Sequence, residues 1–436
     1  MLPTFPRLLQ RLGAWGALAL AAGALAWMTA RGWSRAANPT ADFFDFFWAA
    51  QAIRDGTPVA TSGEGGYLYP PLLATLLLPL TSLKDHHAAR VWLLLMAALT
   101  AASVWMFGRD LARKLSGTPR LTAIACSALG FLLLADNFRA EAEWANCNNL
   151  IIVLLVGAFA CAGRRPTLCG ALLGAAAALK YTPIIFLAYF LVRRRWTEAA
   201  WMTGTLLALL IAPALVLGWQ QNLDALANAS GGIAHMLGAA PPNATNPNFN
   251  PIEADYSWSI PSGMARIAMH RQESRAAWVL GGSALAVIVL ALISWTAYRR
   301  AGQAFWVRGP RTDDAQRPWL VLVELTATLG LMVALSPQTT KRHFNYLLPL
   351  TAMLAAIAVM RTGPARWWSI AGIAAVWFLS APMVNIPAVR PFIDGTWKWI
   401  GGPGIGVVVA CALLIVAAST PPCDHSPPHA RAASPQ

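Results

Sequence analysis

Two carboxylates three residues apart open an aromatic run, Asp42-Phe-Phe-Asp45-Phe-Phe-Trp48. On a helix such residues share a face, so Asp42 and Asp45 would stand together among aromatic rings. Carboxylates there are costly unless solvated or paired, and at an apolar rim they are suited to taking a proton from a hydroxyl. The plain alternative is a belt of interfacial aromatics. Downstream, Tyr67-Leu-Tyr69-Pro70-Pro71 reads as a turn entering a helix, with proline in the first turn. Asn146 and Asn148, with Glu141 and Glu143, line the segment 136–149. These asparagines either hydrogen-bond a hydroxyl-rich substrate or cap the following helix. Lys180 is the one charge between Thr167 and Val192; an ionisable side chain in such a run is a functional candidate, or else a lysine snorkelling to the interface. Lys341-Arg342-His343 form a second basic cluster, facing either an anion or lipid headgroups. Glu324 sits inside an apolar run and reads as half of a polar pair within a bundle. Trp258 either stacks on a ligand or belongs to the interfacial belt.

The elements that must position these groups are helices in a bilayer. Of 436 residues 57% are hydrophobic and 12% charged, against about 25% charged in soluble domains. Runs such as Gly13–Met28, Val91–Phe107, Ala276–Ile293 and Gly404–Ala418 approach the roughly 20 residues that cross about 30 Å of hydrocarbon. Lipid admits only helices or closed barrels, and period-2 strand patterns are absent. The expected fold class is therefore all-α, a polytopic transmembrane bundle of about ten crossings. A net charge of +14 could suggest a nucleic-acid partner, but the basic residues cluster in short connections: 109–120, Arg164–Arg165, Arg193–Arg195, 299–317 and Arg361/Arg366. That is the pattern of cytoplasmic loops, so membrane lipids, and no nucleic acid, are the expected partners. Arg7 and Arg11 before an apolar stretch imitate a signal peptide; without a small-x-small cleavage site, the stretch reads as a retained first helix. The six cysteines show no CxxC or Cys/His spacing, and Glu253 and Asp255 have no neighbouring histidine, so no disulfide framework and no metal site is expected.

The stretch 167–192 is apolar apart from Lys180, yet arginines flank both ends. It reads as a re-entrant helical hairpin broken at Lys180-Tyr181-Thr182-Pro183, since proline disfavours helix in the residue before it. Crossings near 10–30, 90–108, 121–136, 148–162, 199–218, 276–297, 319–335, 343–360, 366–386 and 402–419 then alternate. External segments fall at about 31–88, 219–275, 336–345 and 386–401, and the whole basic excess stays inside or within the membrane. The Asn/Pro/Gly-rich 219–275 segment reads as a mobile loop or lid. Residues 1–420 form one domain and 421–436 a disordered cytoplasmic tail.

Taken in order, Asp42-x-x-x-Phe46-Phe47-x-Ala49, Asp55-Gly56-x-Pro58 and Tyr67-x-Tyr69-Pro70-Pro71 resemble glycosyltransferase family 87. So do Gly170-Ala-Leu-Leu-Gly174 through Lys180-Tyr-Thr-Pro183, and Leu335-Ser336-Pro337 through Arg342-His343-Phe344 and Leu347-Leu348-Pro349. The resemblance spans most of 40–360. It implies a GT-C fold with its site at the external membrane face, no nucleotide-sugar domain, and inverting transfer of a sugar from a polyprenyl-phosphate carrier to a lipid or glycan acceptor; the residues themselves call for no cofactor. On analogy alone the sugar is mannose. Asp42 then matches the catalytic base, with Asp45 as the alternative. Lys180, Lys341, Arg342 and His343 would hold the departing phosphate, while Tyr67, Tyr69, Asn146 and Asn148 would bind substrate. The expected location is the cell (inner or plasma) membrane. Ala145-Asn146-Cys147-Asn148 departs from the family's Gly-Gln-x-Asn, and Ser336-Pro337-Gln338-Thr339-Thr340-Lys341-Arg342-His343 from its Ser-Pro-x-Ser-Trp-x-His-His form, so sugar and acceptor do not carry over. The rival classes are a transporter or flippase of lipid-linked sugars, which would show repeats and a polar path, and an O-antigen-type ligase, which would depend on Arg342 and His343 and be indifferent to Asp42.

Overall fold

The computed structural model describes residues 4–63, 67–115, 118–236, 251–302, 318–380 and 388–420. Among them the chain is helical, without a strand, as a backbone in lipid must be when its polar groups are satisfied locally. In chain order the helices are α1 (Thr4–Arg35), α2 (Asp42–Asp55), α3 (Leu72–Leu76), α4 (Asp85–Lys114), α5 (Arg120–Leu133), α6 (Ala135–Trp144), α7 (Asn148–Cys161), α8 (Pro166–Leu179) and α9 (Ile185–Val192). They continue as α10 (Trp196–Ile211), α11 (Ala214–Leu217), α12 (Trp219–Met236), α13 (Ile260–Arg271), α14 (Arg275–Arg300), α15 (Pro318–Leu335), α16 (Leu348–Met360), α17 (Pro364–Ala374) and α18 (Gly402–Ser419).

Seven segments among the described residues are long and apolar enough to span: Gln10–Arg35, Asp85–Lys114, Trp196–Leu217, Arg275–Arg300, Pro318–Leu335, Lys341–Met360 and Gly402–Ser419. The α5–α6 pair, bent by 66°, makes an eighth if counted as one span. The expected crossing near 148–162 is represented by α7, whose 14 residues fall short of the length that crosses a bilayer alone. The one near 366–386 is α17 continued by a π-helical stretch to Ser380, beyond which 381–387 lie outside the described residues. Burial separates a centre from a periphery. The spans containing α15, α16 and α18 are at least 72% buried, whereas those of α1, α10 and α14 are at most 17% buried. The exposed Leu20, Trp201, Leu280 and Ile288 are side chains that lipid, not water, would cover.

The segment 166–192 is a broken pair of helices, as its sequence suggests. Lys180 is extended (φ −153°, ψ 122°), and a 3₁₀ turn at Thr182–Ile184 leads into α9. Both ends of the pair lie at one end of the bundle, because Gly170 packs against the Glu198 carbonyl and Arg195 bonds Glu198 at 2.9 Å. Lys180 lies at the other end. The leg α8 spans only about 21 Å at about 1.5 Å per residue, less than the hydrocarbon thickness, and its tip at Lys180–Thr182 is half-buried. What holds α8 in place is the Gly170-x-x-x-Gly174 face against α10. A Cβ on Gly170 would meet the Glu198 oxygen at 2.3 Å, and one on Gly174 the Met202 oxygen at 2.4 Å. Such close backbone approach is what paired small residues permit in lipid. Gly174→Val is expected to cost about 1–3 kcal/mol or more by overpacking, and to lower the melting temperature in a detergent thermal-shift measurement.

Several loop expectations are corrected. The segment 136–149 is mostly helix α6, and its residues are fixed by ion pairs. Glu143 bonds Arg31 at 2.8 Å, Arg35 at 2.6 Å and Arg139 at 2.8 Å, which ties α1 to α6. Much of 219–275 is α12 and α13, because short polar and apolar residues there keep a helical repeat; its 237–250 part, the expected tail at 421–436 and the basic run 303–317 lie outside the described residues. Glu324 is indeed one half of a pair, bonding Arg193 at 2.9 Å and accepting from the Tyr189 hydroxyl at 2.9 Å.

Candidate active site

The helix α2 begins at Ala41, in an extended conformation, and ends at Gly56, whose left-handed backbone (φ 69°) caps the last turn. Asp42 and Asp45 occupy its first turn, where the helix dipole favours negative charge. Phe43, Phe44, Phe46 and Phe47 are fully buried beneath them. The aromatic run is therefore core packing that presses the carboxylate end of the helix into the bundle, rather than an interfacial belt.

Opposite Asp42 lies the α6–α7 junction. Ala145 turns the chain in the left-handed region (φ 49°), and its carbonyl accepts from the Trp92 indole N–H at 2.9 Å. This turn sends the Asn146 amide towards Asp42, to which it donates, and starts α7 at Asn148. The third wall is the 3₁₀ turn Lys341–Leu347 between α15 and α16. From it Arg342 forms an ion pair with Asp42, with its guanidinium 5.1 Å from the centre of the Trp144 ring. Asp42 keeps 18% of its side-chain exposure, enough for a ligand atom to reach it.

A second set of contacts surrounds Lys180. Its Nζ donates to Asn148 Oδ1 at 3.1 Å, faces His343 Nε2 at 2.8 Å, and stands 5.6 Å from the Tyr69 ring centre. Asn148 is oriented by Glu141, which accepts from its backbone N–H at 2.8 Å and its Nδ2 at 2.9 Å. That leaves Oδ1 to accept from Lys180 and from the Tyr346 hydroxyl, at 2.6 Å. The His343 Nδ1 accepts from the Thr340 backbone N–H at 3.0 Å, so the neutral ring carries its proton on Nε2. Across the 2.8 Å contact Nε2–H then donates to the Lys180 Nζ, and the two nitrogens together can offer N–H bonds to an anionic oxygen bound beside them.

Of the residues singled out in the sequence, Asp42, Asn146 and Arg342 meet around one carboxylate, and Lys180, Asn148, His343 and Tyr69 around one amine. Lys341 departs from this group. It pairs with Asp136 on α6, and Arg139 holds the same carboxylate at 2.6 Å, because its side chain leaves the 3₁₀ turn on the opposite side from Arg342. Tyr67 is buried with its hydroxyl donating to the Pro70 carbonyl at 3.1 Å, which braces the turn. Glu141 and Tyr346 complete the arrangement. Their role was not legible, since Glu141 and Asn148 lie on different helices and no periodicity links them. Among the described residues no three His, Cys, Asp or Glu side chains converge to hold a metal ion.

Asp45 is half-buried. Desolvation first, and the negative charge of Asp42 second, push its carboxyl up from 3.8 to about 6, against the opposing pull of Arg342. Between those values the folded protein holds this proton more tightly than the unfolded chain does, so stability falls as pH rises through that window. Asp45→Asn is expected to raise the melting temperature at about pH 7.5 and to leave it unchanged at about pH 3.5, measured by thermal unfolding across pH.

A helical membrane bundle that gathers a carboxylate, amides and cations into one cluster has the build of an integral-membrane transferase. The profile of glycosyltransferase family 87 matches residues 67–337, more than half of the sequence, and the chain belongs to that family. It is a multi-pass membrane glycosyltransferase. It is similar to the polyprenol-phosphate-mannose-dependent alpha-(1-2)-phosphatidylinositol mannoside mannosyltransferase of Mycolicibacterium smegmatis, with 28% identity over 84% of this chain and 80% of the relative. The protein of the same description from Mycobacterium tuberculosis is 25% identical over 85% and 84%. A polyprenol-phosphate-mannose-dependent alpha-(1-2)-phosphatidylinositol pentamannoside mannosyltransferase of Mycolicibacterium smegmatis is 26% identical over 77% and 71%.

Proposed function

We propose that the chain moves a mannosyl unit from a polyprenyl-phosphate carrier to a hydroxyl of a mannoside acceptor, inverting the anomeric carbon at the external face of the cell membrane. The observation that carries this reading is the presence of one partly exposed carboxylate, Asp42, near a separate nitrogen pair, Lys180 and His343, in one side-chain cluster. The acceptor hydroxyl gives its proton to Asp42 as its oxygen attacks the anomeric carbon from the face opposite the phosphate. The bond from that carbon to the phosphate oxygen breaks, and its electron pair leaves on the phosphate. Lys180 and His343 Nε2–H donate to the oxygen where that charge develops. Asn146 and Arg342 hold Asp42 in place, so little entropy remains to be lost at the reacting centre.

The external assignment is supported by charge. The helix α7 runs from Asn148 in the pocket to Arg164–Arg165, and α16 runs from the pocket turn to Arg361. Lys114 reaches the Phe159 carbonyl near the far end of α7, at 2.7 Å. The basic connections thus lie at the end opposite the pocket, and such connections face the cytoplasm. The relatives' names supply the sugar and carrier. The test is transfer from radiolabelled polyprenyl-phosphate-mannose by purified protein in lipid nanodiscs, supplied with a membrane-lipid extract. A labelled glycolipid is expected. Failure of folded protein to transfer from any polyprenyl-phosphate sugar would overturn the reading in favour of a transporter or ligase.

A further inference from the structure

The first turn of α2 carries the carboxylates, and further along the same helix lies a cavity that the reaction scheme above does not use. Asp42, Asp45, Trp48, Ala52 and Asp55 follow one another at spacings of three or four, so they form a row that winds round α2, with Trp48 about 120° from Asp42. Beyond Asp45 the row borders an open cavity of about 380 Å³, walled also by Gln51, Thr57 and Ser62. Trp48 lies about 9 Å along the axis from Asp42, at about 1.5 Å per residue.

The walls have the chemistry of a saccharide site. The Trp48 indole is half-exposed, its inner side set on Phe44 with ring centres 5.6 Å apart. Gly63 meets it at the Cε3 edge of the ring. Its backbone is left-handed (φ 69°), and a Cβ there would lie 2.4 Å from the indole, so only glycine lets the chain pass this close. Around the ring the polar groups keep bonding capacity. The Ser62 hydroxyl donates to the Val59 carbonyl at 2.9 Å, leaving its lone pairs open. The exposed Asp55 carboxylate is shared with Arg54 at 2.8 Å and retains further acceptor positions. Gln51 adds an amide with both donor and acceptor ends. An aromatic plate ringed by such groups matches a sugar ring, with its apolar C–H face and its rim of hydroxyls.

We infer that this cavity is a saccharide subsite that binds the glycan of the acceptor, with Trp48 as its stacking platform, and that the α2 row leads the acceptor hydroxyl to Asp42. The choice of acceptor rather than donor rests on the transferase reading and on the position of the cavity. Its Trp48 wall stands one helical turn from Asp45, whereas Lys180 and His343, which would receive the donor phosphate, meet beside Asn148. Binding and turnover are therefore measured separately.

The probe is a soluble α-mannobiose with full-length protein in lipid nanodiscs, read by saturation-transfer-difference NMR. Sugar signals are expected for wild type and for Asp42→Asn, at least fivefold weaker for Trp48→Ala, and weakened for Gln51→Ala, whose side chain is too peripheral to unfold the chain. In turnover, Trp48→Ala is expected to raise the acceptor KM tenfold or more, with kcat and donor KM within twofold of wild type. Trp48→Phe should recover most of the loss. The absence of a wild-type signal, an undiminished signal in Trp48→Ala, or a rise in donor KM instead of acceptor KM would overturn the subsite. Mannobiose binding that depends on Trp48 in a protein without transfer activity would keep the subsite and remove the transferase reading.

Discussion

Replacing Asp42 with asparagine is expected to lower kcat for mannosyl transfer by about 10²–10⁴-fold, the usual contribution of a positioned base, with the donor KM little changed. The substitution keeps the shape of the side chain and removes its charge and basicity. Arg342 remains held against Trp144, and Asn146 can still donate to the new amide oxygen, so the pocket walls persist. The proton acceptor and the charge that pairs with Arg342 are lost together. Asp45→Asn makes the comparison informative. Asp45 stands one turn along α2, and the Asn146 and Arg342 contacts are made to Asp42, so its removal is expected to cost less than tenfold. The measurement is label transfer with donor and acceptor varied in turn. Activity preserved in Asp42→Asn but lost in Asp45→Asn would reassign the base; activity indifferent to both would favour the ligase class.

Lys180→Met is expected to lower kcat by about 10²–10³-fold, comparable to removing one donor from a site where negative charge develops. Methionine preserves the apolar stem and deletes the ammonium. The fold should tolerate it, because Asn148 Oδ1 keeps its 2.6 Å bond from Tyr346 and Asn148 keeps Glu141. Lys180→Arg is expected not to rescue. The amine sits 3.1 Å from Asn148 Oδ1 and 2.8 Å from His343, a space for a compact point charge that a planar guanidinium would not fill equivalently. Single-turnover kinetics with prebound donor would separate this effect from weaker binding. A methionine variant with kcat within twofold of wild type would show a lysine that merely snorkels.

The aromatic run around Asp42 shows how a local pattern underdetermines a role. Phenylalanines at a membrane boundary are equally compatible with an interfacial belt and a packed helix. Only the tertiary contacts show four of them fully buried, forming the seat of the carboxylate. Glu141 shows the same limit, since its effect passes through an amide seven residues away on another helix, across a left-handed turn at Ala145.

What the sequence by itself determined was class and gross topology. Scarce charge, spanning apolar runs and basic connections leave little besides a helical membrane bundle, because lipid removes every alternative way of satisfying the backbone. A lone lysine followed by Tyr-Thr-Pro was enough to mark a broken pair of helices, since proline acts locally. Which candidates meet was decided by tertiary structure alone. Asp42 and Arg342 are 300 residues apart, Lys180 and His343 163. Lys341 and Arg342 are neighbours in the chain, yet one pairs with Asp136 and the other with Asp42. The direction a side chain takes from a 3₁₀ turn depends on the helices packed around it, and sequence spacing carries no record of that.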